Sequence, residues 1–217
     1  MRKNIKDELT EARSENALLR KELDHRVKNN LQLMDSLLKL QMATLIDPIA
    51  RKALLATQRR LHALSVANAI LLDGREADRL DLFSLMQDLT KELIYSYDPS
   101  SHDVGITLTG KCVRIDADFI VPLGLITGEI IANTLDHAQS KENRVRMEIS
   151  WTGGDSGAVS LRYRDDGGGF PEEATARLRE SLGLMLIRSL AAQIHATVAI
   201  SNDERGAVTL VEFRPIA

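Results

Sequence analysis

Between Ile5 and Leu45 the apolar residues Leu9, Ala12, Leu19, Leu23, Val27, Leu31, Met34, Leu38 and Leu45 recur mostly three and four apart. That spacing predicts one long helix rather than a strand, because it keeps a single face apolar. Asp47-Pro48 then reads as an N-cap followed by proline at the first helical position. A second helix is expected through Ile49, Ala53, Leu54, Leu61, Leu64 and Ile70, closed by Asp73-Gly74. Two helices joined by so short a turn run antiparallel. A lone hairpin buries both stripes poorly, so two copies forming a four-helix bundle are expected, the alternative being a hairpin docked on the chain's own second half.

Beyond Gly74 the pattern alternates. A helix from Leu82 to Tyr95, capped by Asp81, leads through Pro99, Ser100 and Ser101 to a strand at Val104-Ile106-Leu108. Asp116 or Asp118 is expected to cap a helix reaching about Ala138. Val145, Met147, Ile149 and Trp151 alternate, as do Val159, Leu161 and Tyr163, which predicts two strands around a Gly153-Gly154 turn. A helix over Leu182–Ile194 and strands near Val198–Ile200 and Val208–Phe213 close the chain. Adjacent strand pairs without intervening helices point to a mixed or antiparallel sheet covered by helices on one face, an α+β arrangement.

Composition sharpens this picture. All 13 glycines lie at Gly74 or later, so the first half is built from strong helix formers. The 217 residues carry 44% hydrophobic and 27% charged side chains, enough for a real core. A net charge of −3 gives no general pull toward nucleic acid or membrane. Cys112, the single cysteine, excludes an internal disulfide framework and CxxC zinc sites and fits a reducing compartment. No apolar run reaches about 18 residues and the N-terminus lacks a signal-peptide core, so a cytoplasmic location is expected.

Helical geometry places His25 about 155° from the centre of the apolar stripe, which points it to water. Glu22, three residues before, and Asn29, four after, share that exposed face. A carboxylate beside an imidazole can orient the ring and raise the basicity of its free nitrogen, which a nucleophilic histidine needs. The run Glu22-Leu23-Asp24-His25-Arg26-Val27-Lys28-Asn29-Asn30-Leu31-Gln32, continuing through Ser36-Leu37-Leu38-Lys39-Leu40-Gln41, closely resembles the phospho-acceptor segment of the HisKA_2/HWE group of bacterial sensor histidine kinases. The resemblance implies a dimeric helical hairpin whose histidine, His25, takes the γ-phosphoryl group of ATP and passes it to an aspartate of a response regulator. It also places Asn29 where related kinases assist dephosphorylation of the regulator.

A second constellation lies downstream. Glu129, Asn133 and His137 repeat every fourth residue and so line one helix face. Asp165-Asp166-Gly167-Gly168-Gly169-Phe170-Pro171 follows a strand directly, and three successive glycines imply close backbone approach or an unusual turn. Ser181-Leu182-Gly183-Leu184 opens a helix, whose unpaired N–H groups favour a phosphate. In this order these segments resemble the N, G1 and G2 boxes of the GHKL ATPase domain of histidine kinases, gyrase and MutL. By that resemblance Asn133 is a Mg²⁺ ligand, Glu129 its orienting or activating neighbour, and Asp165 the acceptor of the adenine amino group. Gly167 and Gly169 let the backbone near the base and Gly183 and Leu184 carry phosphate contacts, with Ser181, Leu182 and His137 also among the expected nucleotide-binding residues.

The interval from Pro171 to Glu180 implies a short ATP lid, in which Arg177 and Arg179 are within reach of the phosphates, the alternative being that at least one of them is a solvated lid charge. Four positions depart from the family pattern: Gly128 for an asparagine, Asp136 for a lysine or other non-acidic residue, His195-Ala196 for Gly-Gly, and Gly206-Ala207 for Gly-Thr. The expected organisation is a helical connector over 1–21, a dimerisation and phosphotransfer hairpin over 22–75, and an ATP-binding GHKL α/β sandwich over 80–217. The expected activity is an ATP- and Mg²⁺-dependent protein-histidine kinase, homodimeric, with a response-regulator receiver domain as partner. Alternatives are a phosphotransferase or regulator phosphatase with a degenerate ATP site, and a partner-binding module akin to anti-sigma kinases.

Overall fold

The computed structural model describes residues 2–73, 79–96, 103–137, 144–153, 157–170 and 181–215. The chain divides into two compact units, Met1–Leu61 and His62–Ala217. The first is a helical hairpin of α1 (Arg2–Thr44) and the leading part of α2 (Pro48–Asp73). The expected cap is present: Asp47 Oδ1 accepts the Ile49 N–H at 3.0 Å, and its carbonyl accepts the Arg51 N–H. Leu31, Asp35, Leu38 and Met42 are half-buried positions of α1, at the spacing of one helix face, and Leu45 just past its end is half-buried too. Across the hairpin, Gln58 Nε2 donates to Asp35 Oδ1 at 2.7 Å, while Lys39 pairs with the other carboxylate oxygen at 2.8 Å. Side chains before Leu18, including Leu9 and Ala12, lie outside the described residues, as does that of Leu19.

The second unit begins inside α2. Ala63, Val66 and Ala67 of that helix are buried with Leu85, Met86 and Leu89 of α3 (Leu82–Ser96) and Leu123 of α4 (Ile120–His137). A two-stranded ladder of β1 (Arg79–Asp81) and β3 (Arg114–Asp116) frames α3. Neither strand is predicted from the sequence, because three residues carry no measurable alternation. Asp81 caps α3 as expected, its Oδ2 accepting the Ser84 N–H at 3.4 Å, and its Oδ1 accepts the Val113 N–H at 3.2 Å. The expected acidic cap of α4 is replaced by a turn. Asp116 is extended (ψ 160°) as the last residue of β3, and a 3-10 turn over Ala117–Phe119 precedes the helix without a side-chain cap bond.

The main sheet holds β2 (Asp103–Thr109), β4 (Arg144–Gly153), β5 (Val159–Asp165), β7 (Gly206–Phe213) and β6 (Thr197–Asp203), in the order β2-β4-β5-β7-β6. β2 and β4 are parallel and all other neighbours antiparallel, which makes the sheet mixed. Alternation decides the faces: Ile149, Trp151, Leu161, Tyr163, Val211 and Phe213 point into the core, together with Ile187 and Ala191 of α5 (Leu182–Gln193). The opposite face carries Arg162 paired with Asp203 at 2.8 Å and Arg164 paired with Glu148. The Arg205 N–H first, then that of Gly206 with Arg164 and Arg162 nearby, together outweigh the opposing effect of burial and hold the exposed Asp203 carboxyl below its usual range. Ala117–Asp136 is long and apolar enough to cross a bilayer by composition, but 67% of it is buried in this fold, as expected of a core helix.

Candidate functional site

His25 stands exposed on α1, as the helical arithmetic requires. Asn29 is exposed one turn further on. Glu22 does not engage the imidazole: its Oε1 accepts from Arg26 Nη2 at 2.5 Å, an i,i+4 pair in which both side chains are solvated. Arg26 lies one turn past Glu22, where a guanidinium fork matches a carboxylate more closely than a ring set three residues away.

The second unit encloses a cavity of about 320 Å³, within the size range of small-molecule sites. Its apolar floor is Ile130, Met147, Leu184 and Ile187, and its polar rim includes Asn133, Thr134, Asp165, Gly167, Gly169 and Ser181. Three segments distant in sequence therefore meet: one face of α4, the end of β5 with the glycines after it, and the start of α5.

Asp165 is held from three sides. Its Oδ1 accepts the N–H of Gly167 at 3.0 Å and of Ala207 at 3.1 Å, while Oδ2 accepts the Thr134 hydroxyl at 3.1 Å. A carboxylate offers about four lone-pair positions, so one acceptor position on Oδ2 remains for an amino group. Gly206 makes this possible by close approach, since a Cβ there would stand 2.4 Å from the Asp165 carbonyl oxygen.

Within the glycine run the close backbone approach falls on Gly169, whereas a Cβ on Gly168 would meet open space. Gly169 has φ +74, and a Cβ there would meet the Asn202 amide at 3.0 Å. That amide clamps Phe170, a cavity residue, from both sides: Oδ1 accepts the Phe170 N–H at 2.8 Å and Nδ2 donates to its carbonyl at 2.7 Å. Below the cavity Tyr163 is fully buried, its hydroxyl 2.8 Å from Thr127 Oγ1. Burial pushes its phenol well above the usual range, and the Thr127 bond offsets only part of that.

Ser181 is the N-cap of α5, its hydroxyl accepting the Leu184 N–H at 3.3 Å. The N–H groups of Leu182 and Gly183 in the first turn have no intrahelical acceptor, so they and the helix dipole suit a phosphate. Of the expected residues, Asn133, Asp165, Gly167, Gly169, Ser181 and Leu184 line the cavity. Glu129, buried at 7% exposure, Leu182 and Gly183 do not, although each adjoins a residue that does. His137 ends α4 with its side chain outside the described residues, as are residues 171–180 with Arg177 and Arg179. Thr134 and Tyr163 escape the sequence reading; the available signal was their helix and strand spacing from Ile130 and Asp165.

The residues present suit Mg²⁺-bound nucleotide. Among the described residues no group of three or more His, Cys, Asp or Glu side chains converges on a metal site. A single amide oxygen such as that of Asn133, completed by phosphate oxygens and water, is a usual environment for Mg²⁺.

Residues 22–97 match the family described as "Histidine kinase" (HisKA_2), and residues 120–216 the "Histidine kinase-, DNA gyrase B-, and HSP90-like ATPase" (HATPase_c). Over 221 aligned residues the chain is 28% identical to the sensor histidine kinase PdtaS of Mycolicibacterium smegmatis, an alignment covering 98% of this chain and 43% of that protein. It is 29% identical over 165 residues to the blue-light-activated histidine kinase of Rhizobium johnstonii, covering 76% of this chain and 44% of that one. The chain thus spans less than half the length of either relative. The histidine kinase domain of the blue-light-activated kinase EL346 from Erythrobacter litoralis shares the fold, with a TM-score of 0.59 at 14% identity over 85% of this chain and 96% of that domain. A hairpin bearing an exposed histidine, followed by an ATPase-type α/β unit, agrees with the two family matches in that order: this chain carries a HisKA_2 histidine-kinase segment followed by a HATPase_c segment.

Proposed function

We propose that this chain autophosphorylates His25 from ATP and donates the phosphoryl group to an aspartate of a response-regulator receiver domain. The observation that carries the reading is the pairing of a solvated imidazole on the hairpin with an open cavity whose polar rim joins Asn133, Asp165 and the N-terminus of α5. Asp165 Oδ2 receives the adenine amino group, and the first-turn N–H groups of α5 face the phosphates. Asn133 would hold Mg²⁺, which would supply neutralisation of adjacent phosphate oxygens. An unprotonated ring nitrogen of His25 attacks the γ-phosphorus; an N–P bond forms as the bond to the ADP oxygen breaks. Positioning and charge neutralisation supply most of what such a transfer needs. Asn29, one turn from His25, is the candidate for orienting water in the reverse, dephosphorylating direction.

The hairpin is read as a homodimerisation element, because Leu23, Met34, Leu37 and Leu40 remain 61%, 52%, 52% and 67% exposed in one copy. A second copy would cover them in a four-helix bundle. A cytoplasmic location follows from this reading, since ATP and receiver domains are met there. Incubation with γ-labelled ATP and Mg²⁺ tests it: an acid-labile, alkali-stable phosphoprotein is expected, absent in His25→Ala, greatly reduced in Asn133→Ala, and discharged by a receiver domain. No label in the unaltered chain overturns the reading.

A further inference from the structure

Two hydrogen bonds tie α4 to β5. Thr127 meets Tyr163, and Thr134, seven residues further along α4, meets Asp165, two residues further along β5. Seven residues are about two helical turns and two residues one strand repeat, so both threonines present one face of α4 to one face of β5. The first bond is buried beneath the cavity; the second lies in its wall, where Thr134 is 5% exposed and lines the space beside Asp165.

The Thr134 hydroxyl has one proton, and it is spent on Asp165 Oδ2 at 3.1 Å. What Thr134 then offers the cavity is lone pairs only. Asp165 Oδ1 is occupied by the N–H groups of Gly167 and Ala207, which leaves Oδ2 as its free acceptor. This corner of the cavity therefore sets two acceptors side by side, Oδ2 and Oγ1. It welcomes an exocyclic amine, which has two N–H donors, and repels a carbonyl oxygen.

We propose that Thr134 is a base-selecting residue of this site, fixing Asp165 Oδ2 and completing an acceptor pair that favours a 6-aminopurine over a 6-oxopurine nucleotide. This rests on the nucleotide reading above. It is separable from it, because it concerns the ratio between two bases rather than binding as such. A threonine that merely packed α4 on β5 would alter both nucleotides together.

The test is the affinity of the full chain for ATP and for ITP, whose base carries a 6-oxo group, with Thr134→Val, Thr134→Ala and Thr134→Ser beside the unaltered chain. Thermal unfolding identifies folded variants, and Thr134→Ala stands in if the valine does not fold. The unaltered chain and Thr134→Ser are expected to prefer ATP by at least tenfold. Thr134→Val should lose about tenfold in ATP affinity with ITP within threefold of its original value, so the preference collapses. An unchanged ATP/ITP ratio in Thr134→Val and Thr134→Ala, a parallel loss of both nucleotides, or a lost preference in Thr134→Ser overturns the proposal while leaving the ATP site intact. Failure of the unaltered chain to bind either nucleotide overturns the nucleotide reading itself.

Discussion

Gly128 of α4 lies directly against Ala63 of α2: a Cβ placed on Gly128 would stand 2.8 Å from the Ala63 methyl carbon. One turn earlier the relationship repeats between Gly124 and Ala67, at 2.6 Å. Carbon contacts prefer about 3.5–4.0 Å, so these glycines let two helix backbones approach where no side chain fits. Gly128, which departs from the family pattern in the sequence, thereby has a packing reason. Gly128→Ala should gain about 1 kcal/mol of helix propensity and lose about 1–3 kcal/mol to overpacking. A net loss near 1 kcal/mol is expected in urea unfolding. Adding Ala63→Gly removes the opposing methyl, and the double variant should be less destabilised than the sum of the singles. Strict additivity would show that the contact carries no strain.

Asn202 replaces a strand partner for Phe170 by offering its amide to both backbone groups. Asn202→Ala leaves the backbone groups of the half-buried Phe170 to water where these bonds are solvent-exposed, so the stability cost should stay near 1 kcal/mol. The larger effect is expected on nucleotide affinity, about three- to tenfold weaker, because Phe170 lines the cavity beside Gly169. Titration with a fluorescent ATP analogue, set against the melting temperature, separates the two.

Tyr163 governs the alkaline limit of the second unit. Its phenol is raised in the folded state by burial, above the unfolded value of about 10. The folded state therefore holds this proton more tightly than the unfolded chain does. The associated stability is fully present below pH about 10 and is lost as pH rises through the folded value. Tyr163→Phe should unfold less steeply above pH 10 than the unaltered chain. At pH 7 it should cost about 1–2 kcal/mol for the severed Thr127 bond. Identical alkaline unfolding profiles for the two proteins would count against this.

His195 ends α5 with φ +52, in the left-handed region, where the Ala196 N–H reaches the Ala191 carbonyl at 2.8 Å and the His195 N–H reaches Ala192 at 3.2 Å. This is the paired bonding of a Schellman terminus, whose left-handed position favours glycine. His195→Gly should stabilise the chain by about 0.5–1 kcal/mol, the left-handed penalty of a side chain less glycine's entropy. A raised melting temperature with unchanged nucleotide affinity is the expected result.

Much of this was legible in the sequence because it is local. The three- and four-residue spacing in α1 and α2, the Asp47-Pro48 start and the alternation in β4 and β5 each depend on neighbours a few residues away. The small β1–β3 ladder was not legible, since its three-residue strands offer no period to read. The pairing of Glu22 was not legible for a related reason: a helix face offers two candidates, His25 and Arg26, and side-chain length with hydrogen-bond geometry picks Arg26.

By itself, then, the sequence determined the longer elements, the solvated face that carries His25, and the order of the segments that line the cavity. Only the tertiary structure decided that Thr134 closes on Asp165, that Asn202 holds Phe170, and that α2 enters the core of the second unit through Ala63 and Ala67. The reason is physical. Periodicity follows from the geometry of one element, whereas these contacts join residues dozens of positions apart, through distances that exist only once helix and sheet have packed.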